Sequence, residues 1–539
     1  MNTMIQFRLY ISAFFVCLLT GVTIQAQEQT AIRPENRVSE ALSFIDYLYV
    51  DDVNAEELAN EAIVAMLEKL DPHSVYIPKE DVDDANQQIN GSFVGIGVRF
   101  QIIKDTLMIV NPIPGGPSEK LGIRAGDQII AVDGENVAGI GIKNADVRDQ
   151  LMGELGSKVN VTIKRKNETE PLEYTIKRDK IPLHSVASHY MIDNRIGYLK
   201  LTSFSRTTVD EVREAIKELK SKGMQDLIFD LQGNGGGLLY ASKVVADEFL
   251  SDDQLIVYSE GRRQPRQEYL ADQKGIFEKG RLVILIDEGS ASASEILSGA
   301  VQDWDRGLIV GRRSFGKGLV QRPIDLSDGA QIRLTIARYY TPSGRFIQKP
   351  YEDSEAYEKD AVNRYLRGEY MHKDSIRLPD SLLHRTKISG REVYGGGGIM
   401  PDIFVPLDTI GVTDVLRTLA RKGHMNGFSI DYVNDNREQL KKRFPTFESY
   451  KASLDTFYPE VEKAFRAYLT KEDPELTLDN EEYEESEFLI KTRVLAFIAQ
   501  NLWDYDRFYE IYNATNEILL RAVEVLGNKE YEKSKLAKN

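Results

Sequence analysis

The sequence predicts an α+β multidomain chain. Its parts are a helical N-terminal segment, a small β-rich module, an α/β core on a largely parallel sheet, and a C-terminal helical extension. Three observations predict this. Apolar residues keep helical spacing over 35–70 and again beyond 411. Glycines and β-branched residues alternate over 91–180. Between 195 and 350, strand patterns alternate with helical ones, as they do when parallel strands carry helices on their faces. The 539 residues allow three or four domains at about 150 residues each. With 42% hydrophobic and 28% charged residues, the chain is neither disordered nor a multi-span membrane protein.

The elements follow in order. In residues 1–26 the only charged side chain is Arg8, ahead of an apolar run from Leu9 to Leu19. Gln25-Ala-Gln-Glu28 then turns the chain polar, the pattern of a signal peptide cut near Ala26. The apolar run is shorter than the about 20 residues that span a bilayer. The expectation is an exported, periplasmic protein, membrane-associated if the segment stays as an anchor. Residues 27–90 form an N-terminal helical domain, with a helix stopped at Pro72. Residues 91–180 form the β-rich module, where Asp133-Gly134 marks a turn. Residues 181–410 form the α/β core. In it Ile196–Leu201, Leu227–Leu231, Leu282–Ile286, Leu308–Val310 and Ile332–Ile336 read as strands. Thr208-Val-Asp-Glu211 predicts a capping box for the first core helix. The charged, tyrosine-rich stretch 351–392 is expected as a surface insertion, and 411–539 as a C-terminal helical domain.

Composition narrows the chemistry. Cys17 is the only cysteine, so a chain cut near Ala26 has no thiol nucleophile, disulfide or cysteine metal cluster. No pair of the six histidines has HExxH spacing. Neither a metal nor an organic cofactor is expected. A net charge of −16 argues against non-specific nucleic-acid binding.

Three stretches carry candidate chemistry. Asp287 to Glu295 holds Ser290, Ser292 and Ser294 where a buried strand turns into a helix, whose N-terminal N–H groups and dipole favour an oxyanion. The bland alternative is that one serine simply caps the helix. Asp230-Leu-Gln-Gly-Asn-Gly-Gly-Gly237 is a glycine loop able to offer bare N–H groups to a developing negative charge. Gly311 to Lys317 fits the start of a phosphate-binding loop, but Gly318 stands where the metal-binding hydroxyl belongs and Leu319-Val320 reads as strand. The competing reading makes Lys317 a base whose amine is desolvated, with Gln321 orienting it. No histidine falls between Ser292 and Lys317 and there is no GxSxG elbow, so a Ser-His-Asp triad ranks below a Ser-Lys dyad.

Together these residues resemble the C-terminal processing peptidases, the tail-specific serine proteases, over about 35–406. The similar motifs are Leu70-Asp-Pro-His-Ser74, the loop 230–237 with Gln232 where arginine is usual, Gly289–Ile296, Phe315–Gln321 and Tyr394–Asp402. The resemblance implies an exported serine endopeptidase. Ser292 would be its nucleophile, Lys317 its general base and Gln321 the residue that orients the lysine. Ala293 and Gly237, or its neighbour Gly236, would supply the oxyanion hole. It also implies that 91–180 is a PDZ domain. There Phe93, Val94, Gly95, Ile96, Gly97 and Val98 would bind the carboxylate of protein substrates with apolar C-termini, the tail adding as a strand. A dead protease acting as a scaffold is the competing class. The helical segment 411–539 would mediate homo-oligomerisation, cage the site or bind an adaptor.

Overall fold

The computed structural model describes residues 34–534 and 536, apart from 104, 114 and 167; the signal-peptide segment lies outside the described residues. Helices α1 (Pro34–Leu48) and α2 (Ala55–Glu68) open the chain, with Leu67 their only buried residue. The turn after Pro72 leads into β1 (Val75–Ile77) and then α3 (Val82–Asn90).

The β-rich module begins with β2 (Ser92–Gly95), β3 (Val98–Ile103), β4 (Thr106–Pro112), β5 (Gln128–Val132) and β6 (Glu135–Asn136). Helix α4 (Asn144–Leu151), β7 (Lys158–Lys164), β8 (Leu172–Lys177) and β9 (Asp179–Pro182) complete it. The sheet order is β3-β4-β5-β7-β8, so among the described residues β3 is an edge strand with an unpaired side. Val98, Ile109, Ile129, Val161 and Ile176 build its core, with Val147 and Leu151 of α4. Strand β2 pairs with β9 and joins the module to the rest of the chain.

Two sheets form the α/β core. The central one has the order β10-β11-β12-β15-β16-β21. Its strands are β10 (Val186–Met191), β11 (Ile196–Leu201), β12 (Asp226–Asp230), β15 (Leu282–Ile286), β16 (Leu308–Gly311) and β21 (Ile403–Phe404). Only β10–β11 is antiparallel, so the sheet is largely parallel, as the alternating pattern predicts. Strands pleat with a period of two, and each face has its own cover. Leu199, Phe229, Ile284 and Ile309 meet helices α5 (Thr208–Ser221), α6 (Leu239–Asp247) and α7 (Ala293–Asp303). Tyr198, Ile228, Val283, Leu285 and Val310 point the other way.

The second sheet is antiparallel, with β13 (Leu255–Gly261), β14 (Gln264–Leu270), β17 (Leu319–Asp325) and β18 (Gln331–Tyr340); β1 joins β18 at its other side. The run Ile332–Ile336, expected in the parallel sheet, belongs here, because β17 and β18 form a hairpin that leaves the central layer. Strands β19 (Leu383–Arg385) and β20 (Glu392–Tyr394) form a separate hairpin.

Two further expectations are corrected. The Glu211 carboxylate does not close a capping box; it accepts the N–H groups of Ser185 and Val186 (2.7 and 2.9 Å) and the Thr207 hydroxyl, pinning the chain that leads into β10. The stretch 351–392 is not simply surface. Tyr357 and Arg364 are buried, and the Arg364 guanidinium donates to the carbonyls of Arg313 and Ser314.

The C-terminal segment forms α8 (Asp414–Arg421), α9 (His424–Arg443), α10 (Leu454–Glu472), α11 (Glu487–Leu502), α12 (Tyr505–Tyr512) and α13 (Glu517–Gly527). Most of these helices share an aromatic-rich core of their own. Helix α13 does something else. Its Ile518, Leu519, Ala522, Val525 and Leu526 cover the second face of the central sheet. Helix α9 lies on the outer face of the β-rich module, where Ile430 packs on Met108 and Val110 and Asn426 donates to Gln101 (2.7 Å). Among the described residues, no helix is long and apolar enough to cross a membrane.

Candidate active site

The site forms where β12 and β15 end side by side. The three alternate serines separate by partner. The Ser290 hydroxyl donates to the Leu231 carbonyl and the Ser294 hydroxyl to the Asn234 carbonyl, both at 2.8 Å. Both serines are fully buried and brace the glycine loop. Ser292 is the only partly exposed residue from 290 to 300. It stands at the N-cap of α7 with φ 54° and ψ −112°. Positive φ is costly for a residue with a Cβ, and such strain collects at functional positions.

Asn234 locks the two loops together. Its side chain donates to the Leu201 carbonyl and accepts the Gly236 N–H (2.9 Å), while its carbonyl accepts the Ala291 N–H (3.0 Å). Only glycine fits next. A Cβ on Gly236 would lie 2.8 Å from Ser292 Cβ and 2.9 Å from the Ala293 nitrogen. At Gly237 (φ 141°) it would lie 2.1 Å from the Phe204 carbonyl oxygen. Phe204 bonds to the Gly236 carbonyl and the Leu238 N–H, which leaves the Gly237 N–H out of that bridge. The Gly236 N–H is spent on Asn234, so Gly237 is the better placed of the two for an oxyanion. Gln232 is braced without an arginine: Lys200 donates to its carbonyl (2.6 Å) and Asp230 accepts its N–H (2.8 Å).

Two buried side chains bind the serine loop to the lysine loop. The Glu295 carboxylate accepts the N–H of Ser292 (2.8 Å) and of Lys317 (2.9 Å) on one oxygen. Its other oxygen accepts the Gly316 N–H (2.7 Å) and the Ser314 hydroxyl (2.5 Å). Burial pushes Glu295 up to about 7, against the pull of these four bonds. Each partner presents a hydrogen, so the arrangement suits the ionised carboxylate. The Tyr339 hydroxyl lies between the carbonyls of Ser292 (3.1 Å) and Lys317. The closing motif supports the same loop: Ile399 N–H donates to Ser314 Oγ and Arg313 to the Gly397 carbonyl.

Lys317 is half-buried, and desolvation lowers its pKa from the ordinary lysine value. Asp71 and Glu295 oppose that shift and Arg333 adds to it. Gln321 is not bonded to the lysine amine; its side-chain amide donates to Thr335 Oγ1 (3.0 Å). The N-terminal turn also reaches the lysine loop, a neighbour that the sequence alone does not reveal. Lys317 feels the charge of Asp71, and His73 that of Lys317, which follows from the seating of β1 on β18. The motif at 70–74 was visible in the sequence, but nothing there says which strand it reaches. Glu295, three residues after Ser292, was legible as the acid of a capping box.

In the β-rich module, Phe93, Val94 and Gly95 lie in β2, paired with β9. Ile96 and Gly97 turn the chain into β3, with Gly97 at φ 75° and Val98 starting the edge strand. A groove for an added strand would therefore begin at 96–98.

Comparison with known proteins gives consistent matches. The family model described as Peptidase family S41 matches residues 195–354, and that of the PDZ domain residues 94–176. Residues 20–81 match the N-terminal domain of the activating protease CtpB, and residues 415–504 match a family of unknown function. A carboxy-terminal-processing protease of Bartonella bacilliformis is 35% identical over 344 residues, covering 63% of this chain and 78% of that protein. Carboxy-terminal processing protease CtpA of Bacillus subtilis is 32% identical over 352 residues, covering 62% and 74%. The solved photosystem II D1 C-terminal processing protease is 33% identical, covering 57% of this chain and 88% of its own, with a TM-score of 0.33.

Proposed function

The chain belongs to the carboxy-terminal processing proteases of peptidase family S41, with a PDZ domain, and from that premise we propose that Ser292 and Lys317 are its catalytic pair. The observation that carries the proposal is Glu295, one carboxylate oxygen of which accepts the N–H of both residues. That bridge fixes the nucleophile loop to the base loop.

The neutral Lys317 amine takes the Ser292 proton as Oγ attacks the peptide carbonyl carbon. The carbonyl oxygen becomes an oxyanion facing the Gly237 and Ala293 N–H groups. The C–N bond then breaks, and the Lys317 ammonium protonates the departing amine. Water attacks the acyl-enzyme ester as Lys317 takes its proton, and when the ester C–O bond breaks the Lys317 ammonium returns that proton to Ser292 Oγ, releasing the acid and the neutral pair. No step calls on a metal or organic cofactor. Gly237→Ala is expected to cost about a hundredfold in kcat, because its Cβ would meet the Phe204 carbonyl and displace a donor. A kcat within twofold of wild type would remove Gly237 from the oxyanion hole.

The PDZ domain is proposed to select substrates by an apolar C-terminal tail, added along β3 with its carboxylate at Ile96–Val98. The edge position of β3 supports this. The signal-peptide pattern of residues 1–26 supports action in the periplasm or another compartment outside the cytoplasm. The test uses one unstructured substrate with an apolar tail, either free or amidated, and Ser292→Ala as control. Cleavage of the free form, about tenfold slower on amidation and absent in the control, is the expected result. Equal cleavage of both forms would keep the protease and remove tail reading. No cleavage, with no labelling by a serine-reactive phosphonate, would favour the scaffold.

A further inference from the structure

The turn at 71–74 is held more elaborately than a turn requires. Asp71 Oδ1 accepts the N–H groups of His73 and Ser74 (2.8 and 2.9 Å) and the Thr335 hydroxyl (3.1 Å). Asp71 Oδ2 accepts the Ser74 hydroxyl (2.7 Å), whose oxygen accepts the Thr335 N–H (3.1 Å). Thr335 in turn receives the Gln321 amide (3.0 Å). A continuous chain of hydrogen bonds therefore runs from Gln321 through Thr335 to Asp71.

We propose that Asp71 is a positioning residue for Lys317. Its carboxylate stabilises the ammonium that Lys317 becomes on taking the Ser292 proton, and Gln321 acts on the lysine through Thr335 and Asp71. The inference rests on the Ser292–Lys317 reading. The turn alone does not ask for a charge, since an asparagine oxygen could accept the same N–H groups. The charged groups felt by Lys317 come from three elements: Asp71 of the N-terminal turn, Glu295 of α7 and Arg333 of β18. His73 lies nearby but is no rival cation. Burial, then the lysine's own charge, brings it down to about 4, and its Nε2 sits 2.7 Å from the Tyr357 hydroxyl. Both carboxylates hold four donors, but those of Glu295 come from the serine and lysine loops themselves, whereas Asp71 is the one joined to Gln321 by hydrogen bonds through Thr335. A triad carboxylate acts on histidine in the same sense.

The test is kcat/KM against pH for wild type and Asp71→Asn. Lys317 must be neutral to accept a proton, so the rate climbs as pH rises through its pKa. A nearby carboxylate favours the ammonium and raises that midpoint, so removing it should move the climb to lower pH by about one unit. The plateau should fall at least about tenfold, because the cation formed in the transition state loses its partner. A purely structural role would lower the plateau and leave the midpoint in place, and that result overturns the proposal, as does an unchanged profile. Thr335→Val combined with Gln321→Ala should cost no more than the worse single change; additive losses would break the relay. Lys317→Ala separates the two failures. If it keeps wild-type turnover, the Ser292–Lys317 reading falls; if it is inactive while Asp71→Asn matches wild type, only this inference falls.

Discussion

Lys317→Ala should reduce peptide hydrolysis about 10³- to 10⁴-fold with little loss of fold stability. General base catalysis alone contributes about 10²- to 10⁴-fold, and here one amine serves in both half-reactions. The lysine suits the task because burial lowers its pKa below the ordinary value of about 10.4, so more of it is neutral near pH 7–8. In the wild type, kcat/KM should climb with pH through that lowered pKa, protonation silencing the base on the acid side. Lys317→Arg should be as inactive as the alanine variant, since a guanidinium stays charged throughout. The fold should tolerate the change, because the loop is held by the Lys317 backbone N–H and carbonyl, through Glu295 and Tyr339. Steady-state kinetics beside thermal unfolding will decide. Turnover within tenfold of wild type would remove Lys317 from the base role.

Deleting residues 517–539 should destroy the folded protease core. Helix α13 is the cover on the second face of the central sheet, where Ile518, Leu519, Val525 and Leu526 are almost fully buried. At about 1.5–3 kcal/mol for each large apolar side chain, those four contribute about 6–12 kcal/mol. A whole domain is stable by only about 5–15 kcal/mol. The deletion also removes Glu517 from buried Arg312, whose remaining carboxylate partner is Glu288 beside the serine loop. Insoluble protein, or loss of a cooperative unfolding transition, is the expected outcome. A soluble, cooperatively folding product would show that the sheet does not need the helix. Leu519→Ala is the graded version, and should lower stability by about 2–4 kcal/mol.

The proposed catalytic pair was more legible in the sequence than its supports. Ser292 and Lys317 each follow a β-rich run and sit among small residues, but Ser290 and Ser294 share that setting, and the family resemblance is what picks Ser292. Glu295 carries the capping-box spacing from Ser292, but that spacing does not say that its carboxylate also reaches the lysine loop. Asp71 and Thr335 give no local sign of each other, because they lie 264 residues apart and meet only through the pairing of β1 with β18. The run Ile332–Ile336 was legible as a strand but not as a member of the antiparallel sheet, since β-branched residues suit either. The charge of 351–392 concealed Tyr357 and Arg364, because average composition does not show which side chains turn inward. The helical nature of 411–539 was plain, but not its share in the protease core: an amphipathic pattern shows that a face is buried, not what covers it.

The placement of α13 also bears on how the enzyme comes into being. A chain is made from its N-terminus, so the strands that carry Ser292 and Lys317 exist long before the helix that covers their sheet. Until that helix arrives, one face of the sheet is wet and the catalytic loops lack a stable floor. Synthesis of the catalytic loops therefore precedes the finished core that supports them by construction. Pulse-labelled chains should gain resistance to an added protease only once residues 518–526 have emerged, and earlier resistance would contradict this order of assembly.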